Sequence, residues 1–245
     1  MTEENKIVLV TPASSASDIS RSGDFIFRRS ASDGQAARLL AEKVSADGHK
    51  RVAVLYILND YGKSYAESFS KYFSGTVALS ESYETTETDF RTHLLKIKNA
   101  NVTAVMMFIN LEGSQLLRQF SESGLNQKIY GSTTWNSKPN LIGVLNESEG
   151  LIYPLTDVSV ENSKYVDFEE LFEEKYAKKP SIPWIAANSY DVFNIIYENM
   201  DYDLKKKLYE IEYNGASGII NFDENGDAFN DLRLVAIHNG TAQFI

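Results

Sequence analysis

The chain has 245 residues, of which 43% are hydrophobic and 24% charged, enough for one or two domains with a sizeable core and unlike a disordered composition. The net charge of −10 argues against a nucleic-acid partner, because phosphate binding needs a basic patch, and the densest basic run, Lys205-Lys206-Lys207, reads as a solvated helix face. The absence of cysteine excludes disulfides, thiolate metal sites and a cysteine nucleophile.

The start, Met1 to Lys6, is polar and acidic with no apolar signal core, and no run approaches the ~18 apolar residues of a membrane span. Either the protein is cytosolic or its signal segment is absent from this sequence.

Lys6 to Val10 predicts a strand, followed by Thr11-Pro12-Ala13-Ser14-Ser15-Ala16-Ser17, a loop of small hydroxyl residues. Pro12 interrupts the ladder there, which frees backbone groups to face a ligand; a plain turn with a helix cap is the alternative. Asp24 to Arg29 predicts a second strand. Ser32-Asp33 caps a predicted helix from Gly34 to Asp47. Val52 to Leu58 is an unbroken apolar run, the mark of a parallel strand buried on both faces. Asn59, Asp60 and Gly62 form a turn, and Lys63 to Phe73 has helical apolar spacing.

Thr76 to Tyr83 predicts a strand and Asp89 to Asn99 a capped helix. Val102 to Ile109 is a strand, Glu112 to Ser123 a helix stopped by Gly124, Gln127 to Gly131 a strand, Asn140 to Leu145 a short helix and Glu149 to Pro154 a strand. This alternation specifies an α/β sheet with right-handed crossovers, whose strand-end loops gather Tyr61, Asn110 and Thr133 on one edge, where open sheets bind ligands. Further on come helices over Tyr165 to Tyr176, Trp184 to Asn199 and Asp203 to Tyr209, then a strand from Gly215 to Phe222. Asp223 to Asp227 reads as a turn, and Leu232 to His238 as the first arm of a hairpin.

No catalytic set is apparent. His49, His93 and His238 lie apart, and there is no Gly-x-Ser-x-Gly, Walker or Gly-x-Gly-x-x-Gly motif. Asp223 to Asp227 has calcium-like oxygen spacing but lacks the later bidentate Glu, so a turn is the better reading. Neither enzyme activity, metal nor cofactor is expected. The strand-end hydroxyls, aromatics and amide suit a small polar molecule bound without transformation. Each has a plainer alternative: Tyr61 as a strand-end cap, Asn110 as a helix-start partner, Trp135 as cover for an apolar edge.

Several motifs in order resemble the type I periplasmic binding proteins, and more narrowly the leucine/isoleucine/valine-binding receptors of ABC transporters. They are Phe27-Arg28, Asp33-x-Gln35, Asp60-Tyr61-Gly62, Thr88-Asp89-Phe90, Ser123-Gly124-Leu125, Glu149-Gly150, Ser189-Tyr190-Asp191 and Gly218 to Asp227. The resemblance implies an α/β fold of two lobes with parallel sheets flanked by helices, closing on a ligand at a hinge and docking on a membrane permease. It assigns residues 1–28 and 156–229 to lobe one and residues 29–155 and 230–245 to lobe two.

The resemblance also implies a periplasmic or extracellular location and a further N-terminal part of lobe one ahead of Lys6. The expectation is therefore a truncated or naturally shortened chain, its first lobe incomplete, with an exposed sheet edge that favours a dimer. Carried over residue by residue, the site comprises Ala13, Ser14 and Ser15 for a carboxylate, with Tyr61, Asn110, Thr133 and Trp135 from lobe two. Thr133 stands where amino-acid binders place the acid that pairs with the ligand's ammonium. A buried ammonium without such a partner is costly, so amides, carboxylates and aromatic acids join amino-acid-like molecules as ligand classes. Glu112, two residues past Asn110, is either a substitute for that acid or, more plainly, a helix-start carboxylate. The rival reading is a sensor or regulatory module of this fold that binds a protein partner and has lost the small-molecule site.

Overall fold

The computed structural model describes residues 2–156, 162–229 and 232–245. In chain order the elements are α1 (Thr2–Asn5), β1 (Leu9–Thr11), a 3-10 turn (Ser17–Arg21), β2 (Ile26–Arg28), α2 (Asp33–Ala46), β3 (Arg51–Ile57), α3 (Asp60–Tyr72) and β4 (Thr76–Tyr83). Then follow α4 (Arg91–Asn99), β5 (Ala104–Phe108), α5 (Gly113–Glu122), β6 (Lys128–Gly131), a second 3-10 turn (Thr133–Asn136), α6 (Lys138–Leu141) and β7 (Ile152–Thr156). The remainder is α7 (Ser163–Tyr176), α8 (Pro183–Asn199), α9 (Leu204–Glu210), β8 (Tyr213–Gly215), β9 (Gly218–Ile220), β10 (Leu232–His238) and β11 (Thr241–Phe244).

The chain divides into two compact units: Met1–Ser32 with Thr156–Asp231, and Asp33–Leu155 with Leu232–Ile245. The lobe boundary expected at residue 230 lies outside the described residues.

The second unit is built on a seven-stranded sheet of order β11-β10-β7-β6-β5-β3-β4. Strands β4, β3, β5, β6 and β7 run parallel, and β10 and β11 close one edge as an antiparallel hairpin. Val52, Ala53, Val54 and Leu55 of β3 are all buried, as an apolar run covered on both faces should be. One face packs Leu94, Ile97, Leu116, Leu117 and Phe120 from α4 and α5. The other packs Leu40, Val44, Tyr65 and Phe69 from α2 and α3. The Asn59 side chain caps α3 by accepting from the Gly62 N–H (2.8 Å), so the expected turn residues form the first turn of the helix.

The first unit pairs β1 and β2 in parallel and β8 and β9 as a hairpin, with α7, α8 and α9 packed around them. Phe27, Ile195, Leu208, Ile220 and Phe222 form its main core, with Phe27 meeting the Tyr209 ring at a tilt and the Phe222 ring edge-on.

Two expectations for this unit are corrected. Strand β1 begins at Leu9 rather than Lys6, because Thr2–Asn5 is helical and its end is closed by the Lys6 and Ile7 N–H groups bonding back to Glu3 and Thr2, with Lys6 at φ 52°. The single strand expected over Gly215 to Phe222 is a hairpin. Buried Asp191 of α8 accepts from the N–H groups of Ala216 (2.8 Å) and Ser217 (2.6 Å) and so folds the chain back at that point.

Candidate functional site

Parallel neighbours put their carboxyl ends on one sheet edge, so β3, β5 and β6 deliver their following loops side by side. Tyr61 stands in the first turn of α3, Asn110 just beyond β5 and Thr133 just beyond β6. The Tyr61 hydroxyl lies 3.5 Å from the Thr133 hydroxyl, and the Thr133 N–H donates to the buried Tyr65 hydroxyl at 3.4 Å. The Thr134 hydroxyl donates to the Ile109 carbonyl (2.7 Å) and lies 2.9 Å from the Ser132 hydroxyl. Burial, helped by the Asp33 charge, pushes the Tyr61 phenol up to about 12; burial and the neighbouring Tyr61 and Asp33 push Tyr65 up as well. Both phenols are therefore neutral at ordinary pH. This edge offers uncharged donors and acceptors from tyrosine and threonine, with the Ser132 hydroxyl buried behind them.

Asn110 leaves its side chain exposed, while its backbone is fixed at both ends. Its N–H donates to Glu112 Oε1 (2.9 Å) and its carbonyl accepts from Asn140 Nδ2 (2.7 Å). Glu112 is fully engaged in the loop, accepting also from the Leu111 N–H (2.8 Å) and from the Tyr83 hydroxyl. Glu112 stands at the start of α5, but its carboxylate bonds the loop before the helix and Tyr83 rather than the helix's own N–H groups. Trp135 departs from its expected role as a ligand contact. It is 0% exposed, packs in the core and donates its indole N–H to the Met107 carbonyl at 3.0 Å. A side chain at Gly131 would collide with that ring, so glycine there and Trp135 are fitted to each other. Trp135 supports the loop after β6 from beneath.

In the first unit, Ala13, Ser14 and Ser15 lie in the loop after β1. The Thr11 hydroxyl accepts from the Ser14 N–H at 3.0 Å. Behind the loop, Asn188 Nδ2 donates to the Pro12 carbonyl (2.9 Å) and the Ser30 hydroxyl to the Ser14 carbonyl (2.7 Å). Arg28 donates to the carbonyls of Ser15 (3.3 Å) and Ala16 (2.7 Å). Among the described residues, no hydrogen bond uses the N–H of Ala13 or Ser15 or the Ser15 hydroxyl.

Sequence reasoning missed the residues that lock these loops. Asn140 is 0% exposed and joins three segments, donating to Asn110 and Thr134 carbonyls and accepting from the Gly113 N–H at 2.9 Å. Asn188 and Tyr65 were likewise read only as parts of helices. A polar residue amid a helix's inward apolar positions is the one signal that marks Asn188. In the Asp223–Asp227 turn, Asp223 accepts from the Asn225 and Asp227 N–H groups, and Asp227 pairs with Arg28. Among the described residues no helix is long and apolar enough to cross a membrane.

The family model of the periplasmic binding proteins matches residues 1–242. Among solved structures, the chain is similar to the leucine-binding protein LivK from Thermotoga maritima, with a TM-score of 0.84 and 25% identity over 100% of this chain and 73% of that one. It is similar to LivJ from Streptococcus pneumoniae, solved with isoleucine (TM-score 0.83, 21% identity, 100% and 74% covered). It also resembles a solute-binding protein of an ABC transporter from R. palustris, solved with benzoate (TM-score 0.85, 16% identity, 100% and 71% covered). No curated protein matches the chain. The α/β architecture and the match along nearly the whole sequence lead to one conclusion: the chain belongs to the periplasmic binding protein family.

Proposed function

We propose that the protein is an extracytoplasmic solute-binding receptor of an ABC-type importer, holding a small polar molecule without transforming it. The observation that carries this reading is the set of loops after the adjacent parallel strands β3, β5 and β6, where the Tyr61 and Thr133 hydroxyls lie 3.5 Å apart and Asn110 follows β5. The Ala13 to Ser15 loop of the first unit supplies backbone N–H groups and the Ser15 hydroxyl for the acid end of the ligand. Ligand contacts that exist in only one form of the receptor favour that form, the one a permease reads. With Thr133 in place of an acid and Glu112 engaged by Tyr83, the polar set of the second unit favours an amide or organic acid over a free α-amino acid. The protein also associates with a second copy of itself through the open edge of β1.

The ligand reading is tested by thermal unfolding with a panel of carboxylates, amides and amino acids. A ligand at about a hundred times its Kd adds roughly 2.7 kcal/mol and raises Tm accordingly. A selective rise with an amide or organic acid that Tyr61→Phe with Thr133→Val abolishes is the expected result. No rise with any compound, together with a stable protein complex, establishes the regulatory-module reading instead.

A further inference from the structure

A trans peptide is planar, and its C=O and N–H point in opposite directions. Whatever grips a carbonyl from behind therefore aims the next residue's N–H forward. In the loop after β1 the gripped carbonyls are those of Pro12, Ser14, Ser15 and Ala16. The N–H groups turned the other way include those of Ala13, Ser15 and Ala16. Two of the four grips come from Arg28.

Arg28 is 0% exposed and is itself held from several directions. Its NH2 group pairs with Asp227 Oδ2 at 2.7 Å. Its backbone N–H donates to the Gly226 carbonyl (2.7 Å), and its carbonyl accepts from the Ala228 N–H (2.8 Å). The turn from Asp223 to Ala228 is thus docked along Arg28. Gly226 has φ 75° and lies so close to the Ile26 carbonyl that a side chain there would clash, which keeps this turn tight against β2. A buried guanidinium placed on the carbonyl side of two peptides polarises them, strengthening the N–H dipoles on the far side.

We propose that Arg28 is the positioning residue for anion binding at the Ala13–Ala16 loop, acting through the Ser15 and Ala16 carbonyls while Asp227 fixes its guanidinium. This rests on the reading of that loop as the site for the ligand's acid end. Lysine at position 28 keeps the charge but has a single nitrogen, which does not span the Ala16 carbonyl and the Asp227 carboxylate as the two guanidinium nitrogens do.

The experiment uses 15N-labelled whole chain, wild type and Arg28→Lys, with sodium acetate as probe. In the ligand-free wild type, the amides of Ala13, Ser15 and Ala16 show order parameters near 0.85, and in Arg28→Lys they drop below about 0.6 while those of α7 to α9 are unchanged. Acetate shifts the Ala13 and Ser15 amide resonances in the wild type, and the variant needs about tenfold more acetate for the same shift. Should Arg28→Lys not fold, Asp227→Asn is read in its place, with the same drop in loop order expected. Loop order that survives in the folded variant overturns the role of Arg28. Acetate that leaves both amides unmoved in the wild type overturns the anion reading, separately from the loop-order result.

Discussion

Asn140 is the side chain on which the second unit's loops converge. Its amide oxygen accepts from Gly113 N–H at the start of α5, and its amide nitrogen donates to the Asn110 and Thr134 carbonyls at 2.7 and 2.9 Å. One buried amide thus uses three of its bonding sites on three segments, and any truncation leaves buried backbone groups unsatisfied. Asn140→Ala is expected to destabilise the protein by about 1–3 kcal/mol, the usual desolvation penalty for such groups. Chemical denaturation monitored by circular dichroism measures this, and a variant within about 0.5 kcal/mol of the wild type contradicts the role given to Asn140. Nothing near Asn140 in the sequence announces it: its bonds to Gly113 and Asn110 span 27 and 30 positions. Tyr61 and Thr133 were legible because strand ends are marked by turn residues in the chain itself. Trp135 sits in the same marked loop, yet its ring turns down toward Met107 because Gly131 leaves room for it.

The elements divide in the same way between local and distant causes. Strand β4 runs over Thr76–Tyr83, the bounds expected from the sequence, and α3 starts where Asn59 caps it. Strand β3 was readable because an apolar run of its length has one comfortable place, the middle of a parallel sheet. The β8–β9 hairpin was not, because the group that turns it, Asp191, is 25 residues from Ala216. Strand β1 is the element with an unfinished surface. Among the described residues it pairs only with β2, and Ile7 and Leu9 are 57% and 46% exposed beside its open edge. An open edge with apolar residues is a template for pairing with another chain, and a lysine on such an edge opposes it. The wild type is therefore expected to sediment as a concentration-dependent dimer and Leu9→Lys as a monomer. A wild type that stays monomeric through the micromolar range removes this proposal.

At the scale of the whole molecule, the buried tyrosines tie stability to alkaline pH. Burial pushes the Tyr61 and Tyr165 phenols up to about 12. It also raises Tyr65, Tyr83, Tyr130 and Tyr153, and carboxylates add to the effect where the Tyr83 hydroxyl donates to Glu112 and the Tyr130 hydroxyl to Asp47. In the unfolded chain each phenol titrates near its ordinary value of about 10. Between about 10 and 12 the unfolded state therefore binds fewer protons than the folded state, so stability falls as pH rises. The stabilisation is fully present below about pH 10 and is lost at roughly 1.4 kcal/mol per pH unit for each such tyrosine that stays protonated in the fold. These residues belong to both units, with Tyr165 in the first and Tyr61, Tyr65, Tyr83, Tyr130 and Tyr153 in the second, so both are expected to weaken over the same window. Tm measured from pH 8 to pH 11.5 should hold nearly level to about pH 10 and then drop steeply, with the phenolate absorbance of the buried tyrosines appearing in step with unfolding. If all 14 tyrosines ionise near pH 10 while circular dichroism remains native, the buried phenols do not occupy the environments assigned to them.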